Sequence, residues 1–140
     1  MEKEKLLDIK DLSVTYKTED GIVYAVNNMN LTLEPKETLG FVGETGAGKT
    51  TTAMTIMGLL PTPPGKVTSG EIMFDGKDML KIGDKERRGI LGEKISMIFQ
   101  DPMTSLNPSM KVGDQIVEMI RLHKVIGKKE AFEEACGLLE

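Results

Sequence analysis

From Gly43 the chain reads Gly43, Glu44, Thr45, Gly46, Ala47, Gly48, Lys49, Thr50, a spacing of glycines closed by a Lys-Thr pair that suits the binding of phosphate. Gly43, Gly46 and Gly48 permit tight backbone turns and a close approach that larger side chains would obstruct. Backbone N–H groups turned inward at a helix N-terminus can hold phosphate oxygens, and the helix dipole favours negative charge there. Lys49 adds a mobile ammonium for β- and γ-phosphates, which makes it the candidate catalytic cation. The Thr50 hydroxyl is suited to a Mg²⁺ ion bridging those oxygens. The expected ligand contacts are the whole run from Gly43 to Thr50, with Thr51 following on the helix. The bland alternative is an ordinary glycine-rich turn; the Lys-Thr pair and both flanking elements weigh against it.

Those flanks must position the loop. Thr38, Leu39, Gly40, Phe41 and Val42 form a short apolar run that predicts a buried strand, and Thr51 to Leu60 predicts a helix closed by Pro61. Upstream, Leu7 and Ile9 alternate with polar residues, and Leu12, Val14 and Tyr16 alternate with the opposite parity. A strand broken or bulged near Asp11 is expected. Ile22 to Val26 predicts a second strand, and Met29, Leu31 and Leu33 a third, ending at Glu34-Pro35-Lys36, so the chain opens on antiparallel β structure. Tyr16 could offer its ring to a base or simply pack in the sheet.

Beyond the loop, Pro61, Pro63, Pro64 and Gly65 rule out a continued helix. Ile72 and Phe74 alternate into Asp75-Gly76, a strand followed by a tight turn. Ile72 to Asp75 superficially resembles a magnesium-binding strand end, but Gly76 stands where a catalytic Glu would follow, so the turn is the better reading. The charged stretch from Asp78 to Lys94 is expected to be partly helical. Ile95 to Phe99 predicts an apolar strand running into Gln100, which by itself reads as a polar strand cap. Val112, Ile116 and Ile120 share one helical face; Phe132, Ala135, Cys136 and Leu139 share another, and both faces are expected to pack on helices.

Composition narrows the classes. The 140 residues are 39% hydrophobic and 29% charged, enough for a globular core. A net charge of −4 with interspersed signs, and few aromatic residues, argues against a nucleic-acid partner. Cys136 is the only cysteine, so no intrachain disulfide is possible; a reducing cytoplasm and a core-filling role are expected. No apolar stretch reaches the length of a signal peptide or membrane span, so membrane association is expected to come through a partner. His123 reads as a surface residue without a catalytic role.

The run Ser96-Met97-Ile98-Phe99-Gln100-Asp101-Pro102-Met103-Thr104-Ser105-Leu106-Asn107-Pro108, placed after such a phosphate loop, resembles the Q-loop of ABC transporter ATPases. More narrowly, it is similar to ATP-binding subunits of oligopeptide, dipeptide and nickel importers. Ala25-Val26-Asn27, Met57-Gly58-Leu59-Leu60-Pro61, Gly70-Glu71-Ile72 and Phe74-Asp75-Gly76 agree. The resemblance implies an α/β, P-loop NTPase fold: an ABC-type nucleotide-binding domain represented by its N-terminal part over 1-140. It implies an antiparallel β region (1-37), a core with part of the parallel sheet from the P-loop to the Q-loop (38-100), and the start of a helical subdomain (101-140). ATP and Mg²⁺ are the implied cofactors. Tyr16 falls where the family places its adenine-stacking aromatic. Gln100 matches the glutamine that contacts Mg²⁺ and the attacking water. Implied partners are transmembrane permease subunits, a second ATP-binding subunit and, indirectly, a solute-binding protein, at the cytoplasmic face of the membrane.

The departures bear on activity. No Leu-Ser-Gly-Gly-Gln signature, no apolar strand ending in Asp-Glu after the Q-loop, and no later switch histidine occurs in these 140 residues. The family pattern places strands from its second half between the P-loop strand and the Gln100 strand. The expectation is therefore an importer ATPase in the whole protein, with weak nucleotide binding and negligible hydrolysis by the 140 residues alone, which are also expected to leave strand edges and apolar surface open. A non-hydrolytic nucleotide-binding or dimerisation remnant is the alternative. A kinase or GTPase is disfavoured by the absence of an Asn-Lys-x-Asp motif.

Overall fold

In the computed structural model, residues 5–101 and 105–139 are described. The chain divides into two compact units, Met1–Leu91 and Gly92–Glu140. Pro102, Met103 and Thr104, within the run that resembles a Q-loop, lie outside the described residues.

The first unit is built on a four-stranded antiparallel sheet of order β2-β1-β3-β4, with β1 Leu7–Thr18, β2 Gly21–Leu33, β3 Gly65–Phe74 and β4 Lys77–Asp78. Alternation places Leu7, Ile9, Leu12, Val14, Ile72 and Phe74 in its core. The parity switch in β1 is a bulge at Asp11, whose φ is 48°, and the pairing registers with both neighbours shift between Ile9 and Val14. Gly70 stands opposite at φ +104°, where a Cβ would come within 2.5 Å of the Leu12 Cα, so the bulge requires a glycine there. The two strands expected over 22–26 and 29–33 are one. Asn28 takes a φ of 43° and exchanges hydrogen bonds with the Ser13 hydroxyl, absorbing a kink without ending the strand. Asp75 and Gly76 form the expected two-residue turn at φ 48° and 74°, closing Phe74 on Lys77.

Helix α1, Lys49–Ile56, is shorter than the stretch 51–60 and begins two residues earlier. It ends because Gly58 turns left-handed at φ +67°: the Leu59 N–H reaches the Met54 carbonyl at 2.8 Å and the Gly58 N–H the Thr55 carbonyl at 3.0 Å. Its buried face is polar, Thr52 and Thr55, and both hydroxyls are satisfied by carbonyls one turn back, Gly48 at 2.9 Å and Thr51 at 2.7 Å. Helix α2, Asp84–Ile90, is the helical part of the charged stretch.

Two expected strands do not form. Residues 38–42 and 96–99 belong to no strand, and Val42 and Ile98 are 93% and 97% exposed. Among the described residues every ladder is antiparallel. A run that is apolar on both faces needs neighbours on both edges and cover on both faces.

In the second unit, α3 (Val112–His123) and α4 (Lys128–Gly137) pack around Val117, Ala131 and Ala135, with Ile116, Ile120 and Ile126 against them. The expected face of α3 holds through Ile116 and Ile120, while Val112 is exposed. On α4 the expected stripe holds only at Ala135: Phe132, Cys136 and Leu139 are exposed, and the contact is made by Ala135 with Ala131 one turn before it. Small residues allow the two helices to approach closely, so Cys136 is a surface thiol and not core filler.

Candidate functional site

The phosphate-loop residues arrive between β2 and α1. Gly48 is the N-cap of α1 in the left-handed region, φ 79°, and is packed against β2: a Cβ there would stand 2.2 Å from the Ala25 carbonyl oxygen. Both conditions demand glycine, and the second ties the loop to a strand. Gly46 is also left-handed at φ +87°, with open space around it. The Ala47 N–H closes a turn onto the Glu44 carbonyl at 3.1 Å. Thr45, Gly46, Ala47 and Thr50 are exposed and Lys49 is half-buried.

The Lys49 ammonium folds back over the loop, donating to the carbonyl oxygens of Gly43 at 2.5 Å and Glu44 at 2.7 Å. Its charge is thereby held beside the start of α1. Among the described residues no side chain caps that helix, and no acidic residue occupies its first turn, so its leading N–H groups and dipole present a positive, exposed end. A triphosphate fits these features, and Thr50, exposed in that first turn, offers a hydroxyl oxygen to a cation held by the phosphates.

Tyr16 is brought to the same end of α1. Its hydroxyl lies 3.3 Å from the Thr51 hydroxyl, and its ring edge rests on Gly65, where a Cβ would come within 3.0 Å of Cε1. Tyr16 is half-buried. Gln100 is exposed and belongs to the second unit. In that unit Asn107 and Gln115 clamp the following loop to α3. The Asn107 N–H reaches the Gln115 Oε1 at 2.9 Å, and the Gln115 amide donates to the carbonyls of Asn107 and Met110 at 3.0 and 3.1 Å.

Three supports were missed in the sequence: the Ala25 carbonyl beneath Gly48, Gly65 beneath Tyr16, and Gln115. The first two act through backbone or through the lack of a side chain, so no residue type announces them. Gln115 could have been found only as a polar residue in the first turn of an otherwise amphipathic helix.

Comparisons with known proteins fit this geometry. Residues 26–139 match the family model described as ABC transporter. The oligopeptide transport ATP-binding protein OppD of Bacillus subtilis is 49% identical over 97% of this chain, which covers 38% of that relative. OppD of Salmonella typhimurium is 51% identical over 96% of this chain and 40% of its own length. The dipeptide transport ATP-binding protein DppD of Bacillus subtilis is 48% identical over 97% and 41% respectively. The chain thus spans about two fifths of the length of these relatives. Among solved structures, the dimeric post-hydrolysis state of the ATP-binding cassette MJ0796 bound to ADP and Pi shares the fold, with a TM-score of 0.76 at 24% identity over 94% of this chain and 54% of that one. With its phosphate loop, bulged antiparallel sheet and matched family model, the chain belongs to the ABC transporter family.

Proposed function

We propose that this chain is the ATP-gripping part of an importer ATPase that energises uptake of peptides or a related solute. The observation that carries the reading is the uncapped, acid-free N-terminus of α1, with left-handed Gly48 behind it and Lys49 folded over the loop. In this reading the loop from Gly43 to Gly48 and the leading amides of Lys49, Thr50 and Thr51 hold the phosphates. The Lys49 ammonium exchanges its two loop carbonyls for β- and γ-oxygens, and the Tyr16 ring stacks on the base. Thr50 would hold Mg²⁺, whose charge would neutralise the developing negative charge on the phosphates, and the family resemblance gives Gln100 a further Mg²⁺ contact. Gln100 orients the attacking water.

The peptide assignment rests on the relatives named as oligopeptide and dipeptide transport proteins, at 48–51% identity. Partners of the whole protein would then be membrane permease subunits, a second ATP-binding subunit and, indirectly, a solute-binding protein, at the cytoplasmic face. No helix among the described residues is long and apolar enough to cross a membrane, which suits a peripheral subunit.

The test is MgATP binding and hydrolysis by the whole protein beside the 140-residue chain. The whole protein is expected to hydrolyse ATP and to lose at least about a hundredfold in kcat/KM on Lys49→Ala. The 140-residue chain is expected to hydrolyse negligibly. Undiminished hydrolysis by the Lys49→Ala protein would overturn the proposal.

A further inference from the structure

At the end of α1 opposite the phosphate loop, an arginine is held in place by other parts of the chain. Arg87, on α2, donates from Nη2 to the carbonyl oxygens of Met79 at 3.2 Å and Ile82 at 3.4 Å, and pairs through Nη1 with Asp84 at 3.2 Å. Its Nε is buried with no hydrogen-bond partner among the described residues. That edge of the guanidinium faces Gly58: a Cβ on Gly58 would lie 2.5 Å from Nε, 2.8 Å from Cδ and 3.0 Å from Cζ. Gly58 is the residue that closes α1. A buried N–H without a partner is costly, and its persistence here reflects a side chain already committed on its other edge.

The placement has two effects on α1. A cation beside a helix C-terminus complements the negative end of the dipole. A planar fork fixed by two carbonyls and a carboxylate also has little freedom, so it acts as a stop against which the last turn of α1 rests. The helix has eight residues, about 12 Å of stiff rod. A shift or tilt at Gly58 therefore reappears at Lys49 and Thr50.

We infer that Arg87 is a positioning residue for the phosphate loop: anchored by Met79, Ile82 and Asp84, it seats the C-terminal turn of α1 through Gly58 and so sets where Lys49 and Thr50 stand. The role rests on the nucleotide-binding reading proposed above.

The experiment measures binding of trinitrophenyl-ATP with Mg²⁺, together with steady-state ATP hydrolysis, in the whole protein. Wild type is compared with Lys49→Ala, Arg87→Ala, Arg87→Lys, Gly58→Ala and the Gly58→Ala/Arg87→Ala pair. Arg87→Ala is expected to raise Kd and KM about fivefold, the size of one charge at a partly buried helix end, with kcat per folded molecule within about twofold. Arg87→Lys keeps the charge and is expected to recover most of that loss. Gly58→Ala drives a methyl into the guanidinium and adds left-handed strain at φ +67° that is the same in both backgrounds, so only the part of its effect on Kd that comes from the clash is expected to be non-additive with Arg87→Ala.

Wild-type Kd and KM in Arg87→Ala would overturn the inference, as would a loss seen only in melting temperature or folded yield. If Arg87→Ala does not fold, Gly58→Ala is measured alone and combined with Arg87→Lys: wild-type Kd and KM in Gly58→Ala overturn it, as does an equal rise in both backgrounds, and a rise in Kd that differs between the wild-type and Arg87→Lys backgrounds supports it. Failure of the wild type to bind the nucleotide, or equal binding by Lys49→Ala, overturns the ATP reading and this inference with it. Binding that is lost with Lys49→Ala but untouched by Arg87→Ala overturns the inference alone.

Discussion

Strand β1 and the run 38–42 both carry apolar residues that read as strand, yet they end in opposite states. Leu12 and Val14 of β1 are fully buried, whereas Phe41 and Val42 are exposed. The difference lies in where their partners come from. β1 is flanked by β2, joined to it by a turn at Thr18–Gly21, and by β3, which returns from residues 65–74, so both edges are closed within the described residues. The run 38–42 has no alternation, reads as a strand covered on two faces, and finds no ladder within the described residues. β1 finds a hairpin partner on one edge and β3 on the other, whereas the run 38–42 has a partner on neither edge among the described residues.

The largest expected effect tests this contrast directly. In the 140-residue chain, Leu12→Ala is expected to cost about 2–5 kcal/mol, and Val42→Ala to stay within about 0.5 kcal/mol, as measured by urea unfolding. A Val42→Ala cost approaching that of Leu12→Ala would break the comparison. A large cost in the whole protein alone would sharpen it, showing that Val42 becomes covered there.

Next in size is a pair of glycines in the loop. Gly48→Ala combines left-handed strain with a collision on the Ala25 carbonyl, whereas Gly46→Ala meets only the strain. The first is expected to destabilise by about 3 kcal/mol or more and the second by about 1–2 kcal/mol. Equal costs would mean that the loop is not braced by β2.

The smallest effect concerns pH at the β1–β2 edge. The Asp8 carboxyl is held below its ordinary pKa, first by the hydrogen bond from the Thr32 hydroxyl at 2.8 Å and then by Lys5 at 3.0 Å, with Lys10 adding attraction. A lowered carboxyl pKa contributes stability that is present above the unfolded-state value and is lost as pH falls through the folded one. Wild-type stability is therefore expected to fall slightly more between neutral pH and strong acid than that of Asp8→Asn. Parallel acid profiles would remove Asp8 from the account.

Local patterns were legible wherever local chain completes them. The Asp11 bulge was visible where the apolar alternation changes parity between Ile9 and Leu12, and the Asp75-Gly76 turn in its residue types. The break expected between 26 and 29 was not real, because Asn28 bends the strand through a side-chain bond to Ser13 that no periodicity signals. On α4 the bulky residues suggested the contact face. The structure kept Ala135 of that stripe and added Ala131, because close helix packing rewards small side chains.

By itself the sequence determined the phosphate loop, its glycines and the Lys-Thr pair, because phosphate binding requires particular residue types at fixed short spacing. Only the tertiary structure decided what stands behind that loop. The Ala25 carbonyl under Gly48, the Gly65 shelf under Tyr16 and the Arg87 stop against Gly58 are contacts between segments far apart in sequence. They are made by backbone atoms and by missing side chains, which leave no pattern until the chain is folded.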